Sequence, residues 1–296
     1  DHPTEDPKHT PARIVNDAQE AIGTWTAKNY ETGKFEGPVR LRKALALSIN
    51  TVAIIVGEQI GPDRAASASK IAAMAHAMGI VNTKLPETWS LSIGAGEVTP
   101  LDNTNGMATL AAGGIAAPPV FIEAIDGKPA PIAKGEQVIK PEVAYVMTNM
   151  MQSVVTEGTG IKVSALKIPV AGKTGTSNDE KDTWFVGLTP DLAIGTWIGY
   201  DEPRHMPHEQ GGVTAAPVYV DIMKQLNPPA KQFVRPPHVV EKTIDKESGL
   251  LAPEGAPKGS TMTEVFVEGT APTETAAKPG DVTPDNAVSC EYDRCD

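Results

Sequence analysis

Apolar residues between positions 41 and 60 fall on one helical face. Leu41, Leu45, Ile49, Val52, Val56 and Ile60 follow at steps of four, four, three, four and four. Ser48-Ile49-Asn50 interrupts this face, because Ser and Asn side chains compete with the helix for backbone hydrogen bonds, so a break is expected there. Gly61-Pro62 ends the segment. Pro62 as a first helical residue, followed by Asp63, predicts a second helix through Ile71, Met74, Ala75 and Met78 to Gly79. Between Ser92 and Gly114 the pattern predicts a glycine-rich turn and a short helix with Leu101, Met107 and Leu110 inward. Val120 to Ile139 alternate around Asp126-Gly127, a hairpin signal. Pro141 opens a strong helix, Glu142 to Val155, whose apolar residues include Val143, Val146, Met147, Met150, Met151 and Val154. Asp1 to Lys34 is polar and turn-rich, without a period.

After Gly158-Thr159-Gly160 the pattern changes to short apolar runs. Ile168 to Gly172, Thr183 to Leu188 and Leu192 to Tyr200 are separated by Ser177-Asn178-Asp179 and Thr189-Pro190-Asp191. Strands joined by short turns pair antiparallel. A helix from Ala216 to Leu226 follows. This order predicts an α+β fold, an antiparallel sheet packed with helices, and excludes alternating βαβ units. From Asn227 onward prolines recur and the period fades. Ala252 to Asp296 carries a net −6 of the chain's −11. Two units are therefore expected: 1–226, and an acidic proline-rich extension at 227–296, partly disordered or poorly packed, with room for one strand at Thr263 to Val267.

Composition narrows the function classes. In 296 residues, 40% are hydrophobic, which excludes a wholly disordered chain. With 27 Gly and 26 Pro the chain is no plain helix bundle. A pI near 5.1 repels phosphates, so no nucleic-acid partner is expected. No apolar run is long enough to span a membrane; the nearest, Met107 to Ile122, is broken by Gly113, Gly114, Pro118 and Pro119. Asp1-His2-Pro3 is no signal peptide and reads as the start of a processed or excised piece. Cys290 and Cys295 cannot make a zinc site alone; they could form a small-loop disulfide in an oxidising compartment or stay free thiols.

The sharpest chemical feature is Gly172-Lys173-Thr174-Gly175-Thr176 between two apolar strands. A phosphate loop would place glycine at position 167, where Lys167 stands, and would lead into a helix instead of strands. The other reading is the Lys-Thr-Gly strand of active-site serine acyltransferases. There Lys173 supplies positive charge and a proton path, Thr174 and Thr176 bind a substrate carboxylate, and Gly175 leaves room for the acyl group along the strand. A backbone N–H just after that glycine can help bind the oxyanion. Ser48-Ile49-Asn50 adds a hydroxyl to relay a proton and an amide to hold the substrate backbone. A bland reading exists for each: an exposed hairpin strand, and an interrupted helix.

Five segments in order resemble class A penicillin-binding proteins. They are Phe35 to Thr51 with Trp25 to Tyr30, Ile93 to Leu101, Gly158 to Gly160 with Val170 to Asp179, Asp182 to Gly187, and Ile198 to Asp201. The resemblance covers about Val15 to Leu226 and implies the serine β-lactamase/penicillin-binding transpeptidase fold. It further implies a D,D-transpeptidase without cofactor or metal, in which a serine attacks D-Ala-D-Ala stem peptides and β-lactams acylate the same serine. Ser48, Asn50 and Lys173 then carry catalytic roles, and Thr174, Gly175 and Thr176 bind substrate. The implied location is the periplasmic face of the bacterial inner membrane, anchored by a segment outside this chain.

One departure matters. That family's nucleophile lies in a Ser-x-x-Lys motif before Ser-x-Asn, and no such motif precedes Ser48 here. Ser67-Ala68-Ser69-Lys70 matches the string, but it follows Ser48 inside an alanine-rich helix and is read as a decoy. The chain is thus expected to be N-terminally incomplete, with the upstream part of the same polypeptide as its partner. A non-catalytic remnant or split partner that binds cell-wall peptide is the rival; an intact serine β-lactamase is disfavoured. His205 and His208 lie in a proline-rich loop and read as solvated instead of metal-binding, the Met147, Met150 and Met151 group as core, and Trp184 as packing that borders the cleft.

Overall fold

The computed structural model describes residues 9–278, apart from 20, 23, 24, 31 and 32; Cys290 and Cys295 lie outside the described residues. In chain order come strands β1 (Ile14–Asp17) and β2 (Gly37–Arg40), then helices α1 (Leu41–Leu47), α2 (Asn50–Glu58), α3 (Arg64–Ala77), α4 (Pro100–Ala111) and α5 (Pro141–Thr156). Strands β3 (Ala171–Thr176), β4 (Asp182–Leu188) and β5 (Ala193–Gly199) follow, then helix α6 (Ala216–Leu226) and strands β6 (Val239–Asp245) and β7 (Thr261–Val267). The fold is α+β with antiparallel sheets, as the pattern predicts. The main sheet has the order β5-β4-β3, with β3 at an edge. Its register sets Phe185 opposite Thr174 and Val186 opposite Lys173. Helix α5 lies on this sheet: Val143, Val146 and Met151 are buried with Ala171, Val186 and Leu188. Phe185 of β4 and Tyr219 of α6 meet edge to face, ring centres 5.0 Å apart.

The apolar stripe from Leu41 to Ile60 is carried by two helices. Ser48 adopts the left-handed conformation at φ 58°, ψ 46° and Ile49 is extended. The Ile49 N–H donates back to Ala44 O at 2.9 Å. The first N–H groups of α2, on Asn50 and Thr51, donate to Asn29 Oδ1 at 3.1 and 3.4 Å. Asn29 in turn donates to both carboxylate oxygens of Asp17, at 2.9 and 3.1 Å, and Asp17 is 1% exposed. Thr51 Oγ1 and the Glu36 N–H also donate to Asp17. A helix start leaves orphan donors, and this amide takes two of them. The apolar face survives the break, since Ile49 and Val52 stay buried with Val15 and Val39.

Several expected elements differ in detail. Helix α3 starts at Arg64 because Asp63 accepts from the Ala66 N–H at 2.8 Å; Pro62 lies before the cap. Leu101 faces outward at 44% exposure. The buried face of α4 is turned toward Asp102, which accepts from the Asn82 N–H and Nδ2 at 2.9 and 2.7 Å. The strand expected at Ile168 to Gly172 begins at Ala171, after Pro169, which has no N–H to donate. Asp126 and Gly127 do make a hairpin turn, both with positive φ.

The largest correction concerns the segment after Asn227. The strand expected at Thr263 to Val267 is present as β7; the segment around it was expected to be poorly packed or disordered, yet β6 and β7 form a full hairpin, Val240 opposite Phe266. Phe266, Ile244 and Glu264 are 0% exposed, and Val239, Val265 and Val267 share the core that holds Val143 and Val186. Acidic composition concealed this, because one of those acids is internal: Glu264 pairs with buried Arg42 of α1. Phe266→Ala is therefore expected to lower the unfolding free energy of the whole chain by about 3–5 kcal/mol, read from urea denaturation followed by tryptophan fluorescence.

Candidate active site

Two segments far apart in sequence meet between α1 and β3. Lys173 Nζ donates to Ser48 Oγ at 2.6 Å, across a sequence separation of 125. It also donates to Thr174 O at 3.0 Å. Ser48 can be there because α1 ends on it in the left-handed conformation, which turns its side chain off the helix axis. Lys173 can be there because it shares with Ala171 the face of β3 that α5 covers, and its side chain lines a cavity together with Leu45 of α1. Burial pushes the Lys173 ammonium down from its ordinary 10.5 to about 8. An amine near 8 holds a useful fraction of neutral base at physiological pH while still donating as a cation.

The other face of β3 carries hydroxyls. Thr174 Oγ1 lies 2.6 Å from Thr159 Oγ1, and Thr176 Oγ1 accepts from the Gly211 N–H at 3.1 Å. Each hydroxyl has one donor and two acceptor sites. The Thr176 donor and one donor of the Thr174–Thr159 pair thus remain for an anionic group. Gly175 lies opposite Trp184, and a Cβ there would come within 3.2 Å of the Trp184 Cβ. Trp184 and Trp197 pack 6.3 Å apart, and Trp197 Nε1 donates to Asp182 at 3.0 Å.

Asn50 is not joined to Lys173. It occupies the first turn of α2, and its Nδ2 donates to Lys28 O at 3.0 Å. Ser67 is 2% exposed; its hydroxyl donates to Glu58 O and accepts from the Gly61 N–H, both at 2.9 Å. Lys70 donates to Ile60 O. That serine and lysine therefore staple the α2–α3 joint. His205 Nδ1 meets Asp179 O at 2.6 Å, and the His208 N–H donates to Glu180. Among the described residues no group of three or more His, Cys, Asp or Glu could hold a metal ion.

Beside the Lys173–Ser48 pair runs an apolar cavity of about 350 Å³ lined by Leu45, Met78, Met107, Ile139, Met147 and Lys173, among others. Lys173 is its one charged lining residue. A second cavity of similar volume, at Tyr200 to Arg204, contains none of the hydroxyl and ammonium groups above.

Three contributors escaped the sequence reading. Thr159 lies in the triplet Gly158-Thr159-Gly160, and a hydroxyl between two glycines is a usable signal. Its N–H donates to Ala46 O at 3.0 Å, and Gly158 is required there, because a Cβ would fall 2.2 Å from that same oxygen. Asn29 and Asp17, which hold the start of α2, belong to no motif or period that marks this role.

Residues 3–224 match the family model described as the penicillin binding protein transpeptidase domain. Residues 235–292 match the one described as the penicillin-binding protein 1A, C-terminal domain. Penicillin-binding protein 1A of Neisseria meningitidis is 36% identical over 234 residues, covering 73% of this chain and 28% of its own. That of Aquifex aeolicus is 35% identical over 256 residues, covering 84% and 34%. The crystal structure of penicillin-binding protein 1A from Haemophilus influenzae superposes with a TM-score of 0.80 at 26% identity, covering 90% of this chain and 46% of that one. PonA1 from Mycobacterium tuberculosis in complex with penicillin V shares the fold at a TM-score of 0.65 and 24% identity, covering 77% and 67%. The chain spans about a third of the length of the curated relatives it matches.

The Lys173 shift has a measurable sign. Its folded pKa lies below its unfolded one, so between about 8 and 10.5 the unfolded chain binds more protons and stability rises with pH. Lys173→Met is expected to flatten that rise, measured as the difference in urea midpoint between pH of about 7.5 and about 9.5.

Proposed function

Because the chain belongs to the penicillin-binding protein transpeptidase family, we propose that it supplies one half of a D,D-transpeptidase site, completed by a serine nucleophile on an upstream part of the same polypeptide. The observation that carries this reading is the 2.6 Å contact from Lys173 Nζ to Ser48 Oγ, which joins the Lys-Thr-Gly strand to the Ser-x-Asn turn. The upstream serine attacks the carbonyl between the two D-Ala residues of a stem peptide. Its proton passes to a basic amine, and the amide C–N bond breaks as the Ser48–Lys173 pair returns a proton to the departing D-Ala amine. An amine of a neighbouring stem then attacks the ester, forming the cross-link and restoring the serine. Thr174 and Thr176, with their spare donors, bind the terminal carboxylate. The open edge of β3 gives an extended peptide unpaired backbone groups to bond. Gly175 keeps that edge low.

The apolar cavity beside Lys173 supports the upstream partner: it offers a hydrophobic helix a seat that would bring a hydroxyl to the ammonium. In this reading residues 1–226 are the partial catalytic unit and 227–296 its extension. The intact enzyme works at the periplasmic face of the inner membrane. Its anchor would lie outside this chain; no helix among the described residues is long and apolar enough to cross a membrane.

Fluorescent penicillin tests this. The chain alone is expected to take no covalent label, and adding the upstream part is expected to restore labelling. In that restored complex Ser48→Ala is expected to slow acylation by about 10²-fold or more. An adduct on Ser67 in the isolated chain would overturn the assignment, and failure to label with the upstream part present would favour a non-catalytic remnant.

A further inference from the structure

Arg42 is 6% exposed and sits on α1, six residues before Ser48. Its Nε donates to Glu264 Oε2 at 2.7 Å and one Nη2 hydrogen to Glu264 Oε1. The other Nη2 hydrogen goes to Asn149 Oδ1 at 2.6 Å. Nη1 donates to Asn149 O at 2.9 Å and Ser153 Oγ at 3.1 Å. A guanidinium has five N–H donors, and all five have partners. Two come from β7 and three from α5, so α1 is held from both sides. Glu264, at 0% exposure, has no water to fall back on. Its second tie is the Val265 N–H, which donates to Oε1 at 2.9 Å.

A buried ion pair is weak evidence for stability, since apolar residues of equal volume often do as well. What a planar five-donor fork adds is a single allowed geometry. Helix α1 is only seven residues long, so a rotation at Arg42 reaches Ser48 within two turns. Leu45, between them, lines the cavity beside Lys173. We propose that Glu264, on the C-terminal hairpin, is a positioning residue for the site: acting through Arg42, it sets the rotation of α1 and so holds Ser48 Oγ at Lys173 Nζ. The consequence for acylation rests on the transpeptidase reading; the Ser48–Lys173 placement does not.

The test uses the whole chain and lysine side-chain NMR, with the Lys173 signal assigned by its loss in Lys173→Met. Glu264→Gln and the charge-neutral pair Arg42→Met/Glu264→Met are compared with Met223→Ala, a buried change on α6 distant in the chain from both. Wherever the first two variants fold, the Lys173 titration midpoint is expected to rise by about one unit, because a displaced α1 admits water to the ammonium. Met223→Ala is expected to lower the thermal midpoint and leave the Lys173 midpoint in place. The proposal is overturned if either ion-pair variant folds with an unmoved Lys173 midpoint, or if Met223→Ala moves it equally. If Glu264→Gln alone does not fold, the double variant decides, since it leaves no unpaired buried charge. No substrate enters this measurement, so a wrong transpeptidase reading would show in penicillin labelling and not here.

Discussion

Arg42 can be buried only if oxygen meets each of its N–H groups, and that requirement gathers three parts of the chain around one helix. Asn149 and Ser153 supply it from α5, Glu264 from the closing hairpin. Helix α5 lies on the main sheet, so the fork also references α1 to β3. The contact between Ser48 and Lys173 depends on this frame, because a hydrogen bond of 2.6 Å tolerates little movement of either element. The start of α2 is held independently, by Asn29 and Asp17. The turn that carries Ser48 is therefore clamped on both flanks.

Electrostatics and packing act together at Lys173. Its neighbours in the cavity are leucines, methionines and aliphatic side chains, which offer an ammonium no hydration. Burial lowers its pKa, and Ser48 Oγ with Thr174 O takes the hydrogen bonds that remain. The same strand presents hydroxyls on its opposite face. One short strand thus carries a buried ammonium on one face and hydroxyls on the other, using only the two-residue alternation of a pleat.

Much of this was legible in the sequence. The helices at 41–60, 141–156 and 216–226 follow from periodicity, and the break at Ser48 follows from the side chains that compete with helix. The Lys-Thr-Gly strand and the Ser-x-Asn turn were found by type and spacing, and folding brings Lys173 and Ser48 together. Asn50 shows the limit: its amide faces Lys28 O instead of Lys173, a choice set by the loop around it. Of the closing hairpin only the strand at Thr263 to Val267 was anticipated, because composition was averaged over a long acidic stretch. Averaging cannot distinguish a solvated glutamate from one whose partner lies more than two hundred residues upstream. Asp17 and Asn29 were illegible for a related reason: their roles exist only through partners distant in the chain.

The Arg42–Glu264 link spans 222 residues. A ribosome adding about 5–20 residues each second leaves α1 waiting on the order of ten to forty seconds for its acidic partner. Until β7 emerges, the Arg42 guanidinium stays in water and α1 has no reason to adopt a unique rotation. Loop closure over that distance is also slow compared with forming the local helices. Synthesis thus imposes an order of events: the helices and the main sheet can form early, while the Ser48 hydroxyl reaches its final place only when the hairpin, made after all of them, closes over them.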